Sequence, residues 1–172
     1  DKGITIDRIR LVQKKGGKSD WKDAFDKAPR AGVLVISDSV SAGKKEDKAG
    51  AAIAERLKGI GVEIAAQALV PDEPEQIAMQ VNAWATQGID LILTTGGTGL
   101  SPRDRTPEAI APLLDREVPL AMMSRGIAGM IGRTLVITLP GSTRGAQETM
   151  DALFPFVLHV VKVQEHAYRH GQ

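Results

Sequence analysis

The sequence predicts an α/β protein, a three-layer α-β-α sandwich in which helices cover both faces of a mostly parallel β-sheet. Three features of the sequence indicate this fold. Short apolar runs alternate with longer amphipathic stretches, as in folds built from repeated strand–helix units. The apolar runs are nearly continuous, which is typical of parallel strands buried on both faces. Gly and Pro residues separate many of these segments, which indicates tight turns.

Four strands are predicted between residues 32 and 139, and the first, residues 32–36, is a short apolar run. The others lie at residues 62–70, 91–95 and 135–139. Val, Ile and Leu are frequent in them, and β-branched residues favour the extended backbone. The connections between consecutive runs are long enough to hold a crossover helix, which parallel strands require.

Apolar periodicity places the first two helices between these strands. The first begins after Asp47 and the second at Pro74, where a proline suits the first helical turn. Apolar residues recur at helical spacing in both. The stripes expected to face the core are Ile53, Leu57 and Ile60 in the first helix, and Ile77, Val81 and Trp84 in the second.

Capping residues mark the last two helices. Thr106 is the predicted N-cap of the third, with Pro107 at the first helical position. Either Ser142 or Thr143 is expected to cap the fourth helix. Pro155 is expected to kink or split that helix, because proline removes a backbone hydrogen bond in a helix interior.

Composition excludes several classes of protein. With 42% hydrophobic and 25% charged residues, the chain resembles a globular domain rather than a disordered one. The absence of cysteine excludes disulfide scaffolds, zinc fingers and thiol nucleophiles. A formal charge of +1 gives no general attraction to nucleic acid. No apolar run reaches a membrane-spanning length and no signal peptide is evident, so a cytoplasmic protein is expected.

The chain divides near residue 29 into a short polar segment and the α/β region. Residues 1–29 are basic, and residues 4–12 alternate like a half-buried strand. A lone strand without a sheet is not stable. We therefore expect residues 1–29 to be the remnant of an upstream domain plus a linker, and residues 30–172 to form the functional domain.

Four loops are candidates for ligand binding, because open parallel sheets bind ligands beyond the carboxyl ends of their strands. These loops are residues 37–47, 71–73, 96–104 and 140–143. The glycine-rich segment 94–99 gives the strongest signal, since glycines let backbone N–H groups approach an anion and the threonines add hydroxyl donors. A tight turn without a ligand is the alternative, and the segment matches no standard phosphate-loop motif.

Two carboxylates follow neighbouring strands. Asp72 comes just after the second strand and Asp104 just after the glycine-rich segment. Together they are candidates to hold Mg²⁺ beside substrate phosphates. The alternative is that Asp72 only starts a turn and that Asp104 pairs with Arg103 or Arg105.

These motifs, taken in order, resemble the molybdenum cofactor proteins of the MogA/MoaB family. The resemblance runs from about Arg30 to Val163. The segments that carry it are residues 36–38, 47–48, 71–73, 94–99 with Asp104 and residues 106–107, 115–118, 124–126 and 139–142. Between Pro119 and Leu120 the family normally carries a further helix and loop, which this sequence lacks.

The resemblance implies a molybdopterin adenylyltransferase, which transfers AMP from ATP to the terminal phosphate of molybdopterin and releases pyrophosphate. Mg²⁺ is the implied cofactor and ATP the co-substrate. Asp72 and Asp104 match the functional acidic pair, which we assign jointly to catalysis and Mg²⁺. The implied substrate- and phosphate-binding residues are Ser37, Asp38, Thr95, Gly96, Gly97, Thr98, Gly99, Pro140, Gly141 and Ser142.

The family resemblance also implies partners. It predicts a homotrimer, with the apolar residues Met122, Met123, Ile127 and Met130 as a candidate subunit contact. The product implies a molybdenum-insertion enzyme downstream. The alternative function is a non-catalytic trimer that carries molybdopterin, as suggested for some MoaB-type members.

Residues 1–19 resemble the carboxyl end of the MoaC family, cyclic pyranopterin monophosphate synthase. The segment 15–19, Lys-Gly-Gly-Lys-Ser, is its most distinctive part, and Lys14 and Lys18 match basic residues of that family's site. The acidic and lysine residues which that family uses just upstream do not occur in this sequence. The resemblance implies a bifunctional synthase–adenylyltransferase, of which this chain holds the second half.

Overall fold

The structure is a computed structural model that describes residues 25, 27–118 and 125–169. Its six strands are β1 (Arg30–Ile36), β2 (Glu63–Val70), β3 (Leu91–Thr95), β4 (Arg116–Val118), β5 (Ala128–Ile131) and β6 (Thr134–Leu139). Its α-helices are α1 (Asp38–Ser41), α2 (Ala49–Gly59), α3 (Pro74–Thr86), α4 (Thr106–Ile110) and α5 (Thr143–Arg169). A short 3₁₀ helix at Ala111–Leu113 continues α4. The predicted α/β fold is confirmed.

The strands form one sheet in the order β2-β1-β3-β6-β5-β4, in which the first four strands are parallel. The parallel strands end level with one another: Val35 pairs with Thr95, and Thr95 pairs with Leu139. Ile36 pairs with Val70 at the same edge. The loops that follow these strands therefore meet at one end of the sheet.

Helices cover both faces of the sheet, which gives the predicted three layers. On one face, Ile53 and Leu57 of α2 pack with Met150 of α5 against the sheet. On the other face, Val81 of α3 and Ile110 of α4 lie in a second buried cluster. The central strands contribute to both clusters, because successive side chains of a strand point to opposite faces.

The two antiparallel strands β4 and β5 were not predicted from the sequence. They are only 3 and 4 residues long, too short to show a clear alternation of apolar and polar residues. They extend the sheet beyond β6 and account for two residues that were assigned to a subunit contact. Met130 is buried in β5, and Ile127 packs against the core of its own chain.

Two helix predictions also need correction. Thr106 is not the N-cap of α4: it lies inside the helix, where its hydroxyl donates to the Gly96 carbonyl at 2.9 Å. Pro155 does not split α5, which is one helix of 27 residues. The cap of α5 is predicted correctly, since Ser142 Oγ accepts a hydrogen bond from Gly145 N at 3.1 Å.

Several expectations lie outside the described residues. They include the strand at 4–12, the MoaC-like segment, Met122, Met123 and the junction between Pro119 and Leu120. Phe25 is described, and it packs against the core cluster that α2 and α5 share. Part of the segment assigned to an upstream domain thus contacts the α/β domain.

Candidate active site at the carboxyl ends of the parallel strands

A cavity of about 450 Å³ lies where the loops after β1, β2, β3 and β6 meet. The structure brings eight of the predicted site residues together along its wall. They are Ser37, Asp72, Thr95, Gly96, Gly97, Asp104, Gly141 and Ser142. Four others, Asp38, Thr98, Gly99 and Pro140, lie next to the lining residues but do not line this cavity.

The glycine-rich segment is held in a conformation that only glycine adopts easily. Gly96 and Gly97 have φ angles of +105° and +62°. A Cβ atom on Gly96 would lie 2.0 Å from the Ile36 carbonyl oxygen, and one on Gly97 would lie 3.0 Å from Asp72 Oδ1. The glycines therefore let the end of β3 pack directly against the end of β1 and against Asp72.

The prediction that the threonines of this segment offer hydroxyl donors to a ligand is not supported. Thr95 Oγ1 donates to the Pro140 carbonyl at 2.7 Å. Thr98 is buried. Thr94 is fully buried, does not line the cavity, and its hydroxyl has no partner among the described residues. Thr95 instead ties the loop after β3 to the loop after β6.

Asp72 is fixed by a reciprocal pair of hydrogen bonds with Asp38. The Asp38 backbone N–H donates to Asp72 Oδ2, and the Asp72 backbone N–H donates to Asp38 Oδ1, both at 3.0 Å. Asp38 thus supports the predicted catalytic residue rather than lining the cavity itself. The two residues lie 34 positions apart in the sequence, and no local pattern indicates this contact.

Arg103 binds two carboxylates from the neighbouring loops. Its Nη2 atom lies 2.6 Å from Asp38 Oδ2 and 3.2 Å from Glu73 Oε1. The alternative in which Asp104 pairs with Arg103 is therefore wrong. Asp104 Oδ2 accepts instead from the Ser101 backbone N–H at 3.0 Å, and no side chain among the described residues forms a salt bridge with it.

Arg125, from the segment before β5, also contacts the Asp104 loop. Its Nη1 atom donates to the Asp104 carbonyl at 3.4 Å, and its Nη2 atom pairs with Glu108 on α4. Arg125 belongs to a segment that carried the family resemblance, but its contact was not predicted. Two arginines therefore hold the loop of Asp104 from different sides.

The electrostatic environments of the two central aspartates differ. Partial burial raises the pKa of Asp72, and the charges of Asp38 and Asp104 raise it further. The pKa of Asp38 is lowered, first by the hydrogen bond from the Asp72 backbone and then by Arg103. Asp72 is therefore a carboxylate whose ionised form is penalised at the cavity wall, an environment that a bound cation would relieve.

The loop after β1 adds charge of both signs to the cavity. Lys45 and Lys48 line it together with Glu46 and Asp47, and Ser142 and Thr143 line it at the start of α5. The N-terminus of a long helix carries a partial positive charge. A lysine in a polar loop gives no sequence signal that separates a cavity wall from ordinary surface.

Asp72→Asn is expected to raise the Tm of the protein at pH 7 in EDTA, whereas Asp38→Asn is expected to lower it. The raised pKa of Asp72 makes its ionised form destabilising at neutral pH, and this penalty disappears as the pH falls through the folded-state pKa. The lowered pKa of Asp38 has the opposite sign, so its stabilising contribution is present at neutral pH and lost on acidification. Thermal unfolding at several pH values measures both.

The increase in Tm caused by Asp72→Asn should disappear by about pH 3, below the unfolded-state pKa of aspartate. Equal Tm changes of the same sign in both variants would contradict this assignment of the two environments.

Comparison with known proteins supports the geometry. Residues 32–159 match the family described as "Probable molybdopterin binding domain". The chain is 33% identical to "Molybdenum cofactor biosynthesis protein B" of Staphylococcus carnosus, an alignment that covers 80% of this chain and 91% of that protein. The chain belongs to the MoaB/MogA family of molybdenum cofactor biosynthesis proteins.

Solved structures of the family have the same fold. The crystal structure of the molybdopterin biosynthesis enzyme MoaB from Thermus thermophilus superposes with a TM-score of 0.75 at 46% identity, covering 78% of this chain and 95% of that one. The family resemblance inferred from residues 30–163 is thus confirmed, and the sheet with its covering helices is that of MoaB and MogA.

A longer relative aligns with more of the chain. The chain is 41% identical over 174 residues to "Molybdenum cofactor biosynthesis bifunctional protein" of Chlorobaculum tepidum, with 92% of this chain covered. It spans 55% of that relative's length, or about half.

Neither a preformed metal cluster nor a membrane-spanning helix occurs in the described part of the chain. Among residues 25, 27–118 and 125–169, no group of three or more His, Cys, Asp or Glu side chains is placed to hold a metal ion. Within the same part of the chain, no helix is long and apolar enough to cross a membrane. Asp72 and Asp104 alone thus do not complete a metal site, but Mg²⁺ commonly takes one or two carboxylates and substrate phosphates.

Proposed function

We propose that this domain adenylylates molybdopterin with Mg-ATP in the cytoplasm. In the reaction, an oxygen of the terminal phosphate of molybdopterin bonds to the α-phosphorus of ATP. The bond from that phosphorus to the β-phosphate breaks, and pyrophosphate leaves. The observation that carries the proposal is that one cavity brings Asp72 and Asp104 together with the glycine-rich segment, two lysines and the N-terminus of α5.

The two aspartates Asp72 and Asp104 suit the binding of a nucleotide together with its metal ion. Asp72 and Asp104 would hold Mg²⁺, and the penalised ionisation of Asp72 fits a carboxylate awaiting a cation. When bound, Mg²⁺ neutralises charge on the triphosphate and the leaving pyrophosphate. The protein orients the two aspartates through the Asp38 backbone N–H and the Ser101 backbone N–H.

Positive groups in the same cavity suit the anionic pterin substrate. Lys45 and Lys48 provide positive charge there, and the N-terminus of α5 adds a partial positive charge beside Ser142. The attacking phosphate is already ionised at neutral pH, so the site needs no general base. Catalysis would then depend on positioning and electrostatic stabilisation, as is usual for phosphoryl transfer.

A pyrophosphate-release assay tests the proposal. The purified domain is incubated with molybdopterin, ATP and Mg²⁺, and pyrophosphate is followed with a coupled enzyme. Release should require molybdopterin and should stop when EDTA is added. A control without molybdopterin corrects for hydrolysis of ATP. Binding of molybdopterin without any release would favour the carrier function instead.

We propose that the active form is a homotrimer. The earlier argument from four apolar residues is weakened, because Ile127 and Met130 pack within the subunit. Exposed apolar side chains elsewhere remain candidates for a contact, among them Leu100, which is 89% exposed. Light scattering at micromolar concentration should give three times the chain mass of 18.3 kDa. A monomer at that concentration would contradict the trimer.

We also propose that the chain is the second half of a bifunctional protein. Its upstream half would be a cyclic pyranopterin monophosphate synthase, and a molybdenum-insertion enzyme would use its product. The similarity to the Chlorobaculum tepidum bifunctional protein over 92% of this chain supports the fusion. Extending the reading frame upstream of Asp1 tests it: a MoaC-like sequence is expected there.

A truncated protein that begins at Arg30 should retain adenylylation. Residues 1–29 contribute no described residue to the cavity at the carboxyl ends of the strands. Loss of Phe25 from the core should lower the Tm modestly, since this side chain is only partly buried. Loss of activity without loss of fold or trimer would mean that the basic segment contributes to the site.

A further inference from the structure

We propose that Arg103 positions both aspartates of the site by fastening three loops together, and that it does so without touching the substrate. This inference rests on the proposed adenylylation. The guanidinium lies in the loop after β3, and its two carboxylate partners lie in the loops after β1 and β2. It therefore connects three of the four loops that form the cavity.

The first consequence concerns Asp72. Arg103 contacts Asp38 Oδ2, while the other oxygen, Oδ1, accepts from the Asp72 backbone N–H. The Asp38 backbone N–H in turn holds Asp72 Oδ2. The guanidinium thus offsets the repulsion between two carboxylates that would otherwise move apart and change the direction of Asp72.

The second consequence concerns Asp104, which follows Arg103 directly in the chain. The Ser101–Asp104 segment is a tight turn in which the Asp104 backbone N–H donates to the Ser101 carbonyl at 2.9 Å. The Arg103 backbone N–H donates to Ser101 Oγ at 3.3 Å in the same turn. Anchoring the Arg103 side chain therefore anchors Asp104, so one residue sets the spacing of both aspartates.

A role in stability alone does not account for these contacts. The side chains of Arg103, Asp38 and Glu73 are 59%, 49% and 49% exposed, and exposed ion pairs contribute little to folding. A guanidinium that binds two carboxylates from different loops gives geometric definition, for which arginine is better suited than lysine. The loss of Arg103 should consequently appear in turnover rather than in folding.

The test is a set of variants assayed for adenylylation at varied ATP and molybdopterin. Arg103→Gln should lower kcat about tenfold to a hundredfold, the usual effect of losing a group that orients a metal-binding side chain. KM for both substrates should change less than about twofold. Arg103→Lys should recover part of kcat. Arg105→Gln is the matched control: the side chain is exposed, lies two residues away and has no ion pair among the described residues.

A double variant separates positioning from direct substrate binding. Asp38→Asn removes the charge that the guanidinium holds in the loop after β1 and leaves its contact with Glu73. Adding Arg103→Gln to Asp38→Asn should therefore lower kcat by a smaller factor than Arg103→Gln does in the wild type. Independent, multiplicative effects would overturn the proposal. So would a large rise in KM for ATP in Arg103→Gln at unchanged kcat, since that result would place Arg103 on the triphosphate.

A measurement without turnover distinguishes failure of this proposal from failure of the proposed function. If the wild-type protein releases no pyrophosphate, the proposed function fails whatever Arg103 does. Thermal unfolding in EDTA still tests the positioning: Asp72→Asn should raise Tm more in an Arg103→Gln background than in the wild type, because the repulsion between Asp38 and Asp72 is then uncompensated. An equal rise in both backgrounds, or an equally enlarged rise with Arg105→Gln, would overturn the proposal.

Discussion

Asp104→Asn is expected to reduce adenylylation by about two to three orders of magnitude while the protein stays folded. Removal of one electrostatic group from a transition-state site typically has an effect of this size. The substitution is nearly isosteric, and the amide oxygen can still accept the hydrogen bond from the Ser101 backbone N–H. Molybdopterin binding should persist, because the proposed pterin contacts come from the glycine-rich segment, Ser142 and the two lysines rather than from Asp104.

Asp72→Asn should behave alike, and the double variant should be little slower than either single one. Groups that act as a unit give non-additive losses, and the two aspartates are proposed to share one cation. Single-turnover rates at saturating Mg²⁺ and ATP measure the effect. Glu55→Gln is a suitable control, because Glu55 lies on α2 outside the cavity lining and pairs only with Lys58 among the described residues. A wild-type rate in either aspartate variant would mean that this residue only stabilises a turn.

Gly96→Ala is expected to give the largest loss of stability of any single methyl addition in the site. A Cβ atom there would lie 2.0 Å from a backbone carbonyl oxygen of β1, which no side-chain rotation can relieve. The φ angle of +105° adds strain for any residue other than glycine. Separation of the strand ends should cost about 3 kcal/mol or more, at the upper end of single-residue effects.

Gly88→Ala is the matched control for this prediction. Gly88 also has a positive φ angle, +72°, but an added Cβ would meet no atom within 4 Å. Its loss should be about 1–2 kcal/mol, from backbone strain alone. Urea unfolding of both variants measures the difference. Equal losses of unfolding free energy would contradict the close contact between the ends of β3 and β1.

The parts of the fold that have a strong periodic pattern of apolar residues could be predicted from the sequence. Leu91–Thr95 begins with three consecutive apolar residues and continues with two β-branched threonines, so a buried strand was predictable there. Trp84, Val81 and Ile77 lie on one helical stripe and are buried as expected. The strands β4 and β5 were not predictable, because their few residues carry no period and their pairing depends on distant partners.

The site was predictable in its location and not in its contacts. Loops at the ends of parallel strands must meet, which placed Asp72 and Asp104 at one cavity correctly. The ion pair between Arg103 and Asp38 joins residues 65 positions apart, and no local pattern indicates it. Thr106 shows the same limit: local capping preference suggested an N-cap, whereas a tertiary hydrogen bond to Gly96 decides its position.

The most direct test of the proposed function follows the two ends of ATP separately. The wild-type domain is incubated with molybdopterin, Mg²⁺ and ATP labelled at the α-phosphate or at the γ-phosphate. The α-label should appear covalently attached to molybdopterin, in equal amount to the γ-label found in pyrophosphate. If molybdopterin binds to the domain but the α-label stays in ATP, the protein is a carrier and not an adenylyltransferase.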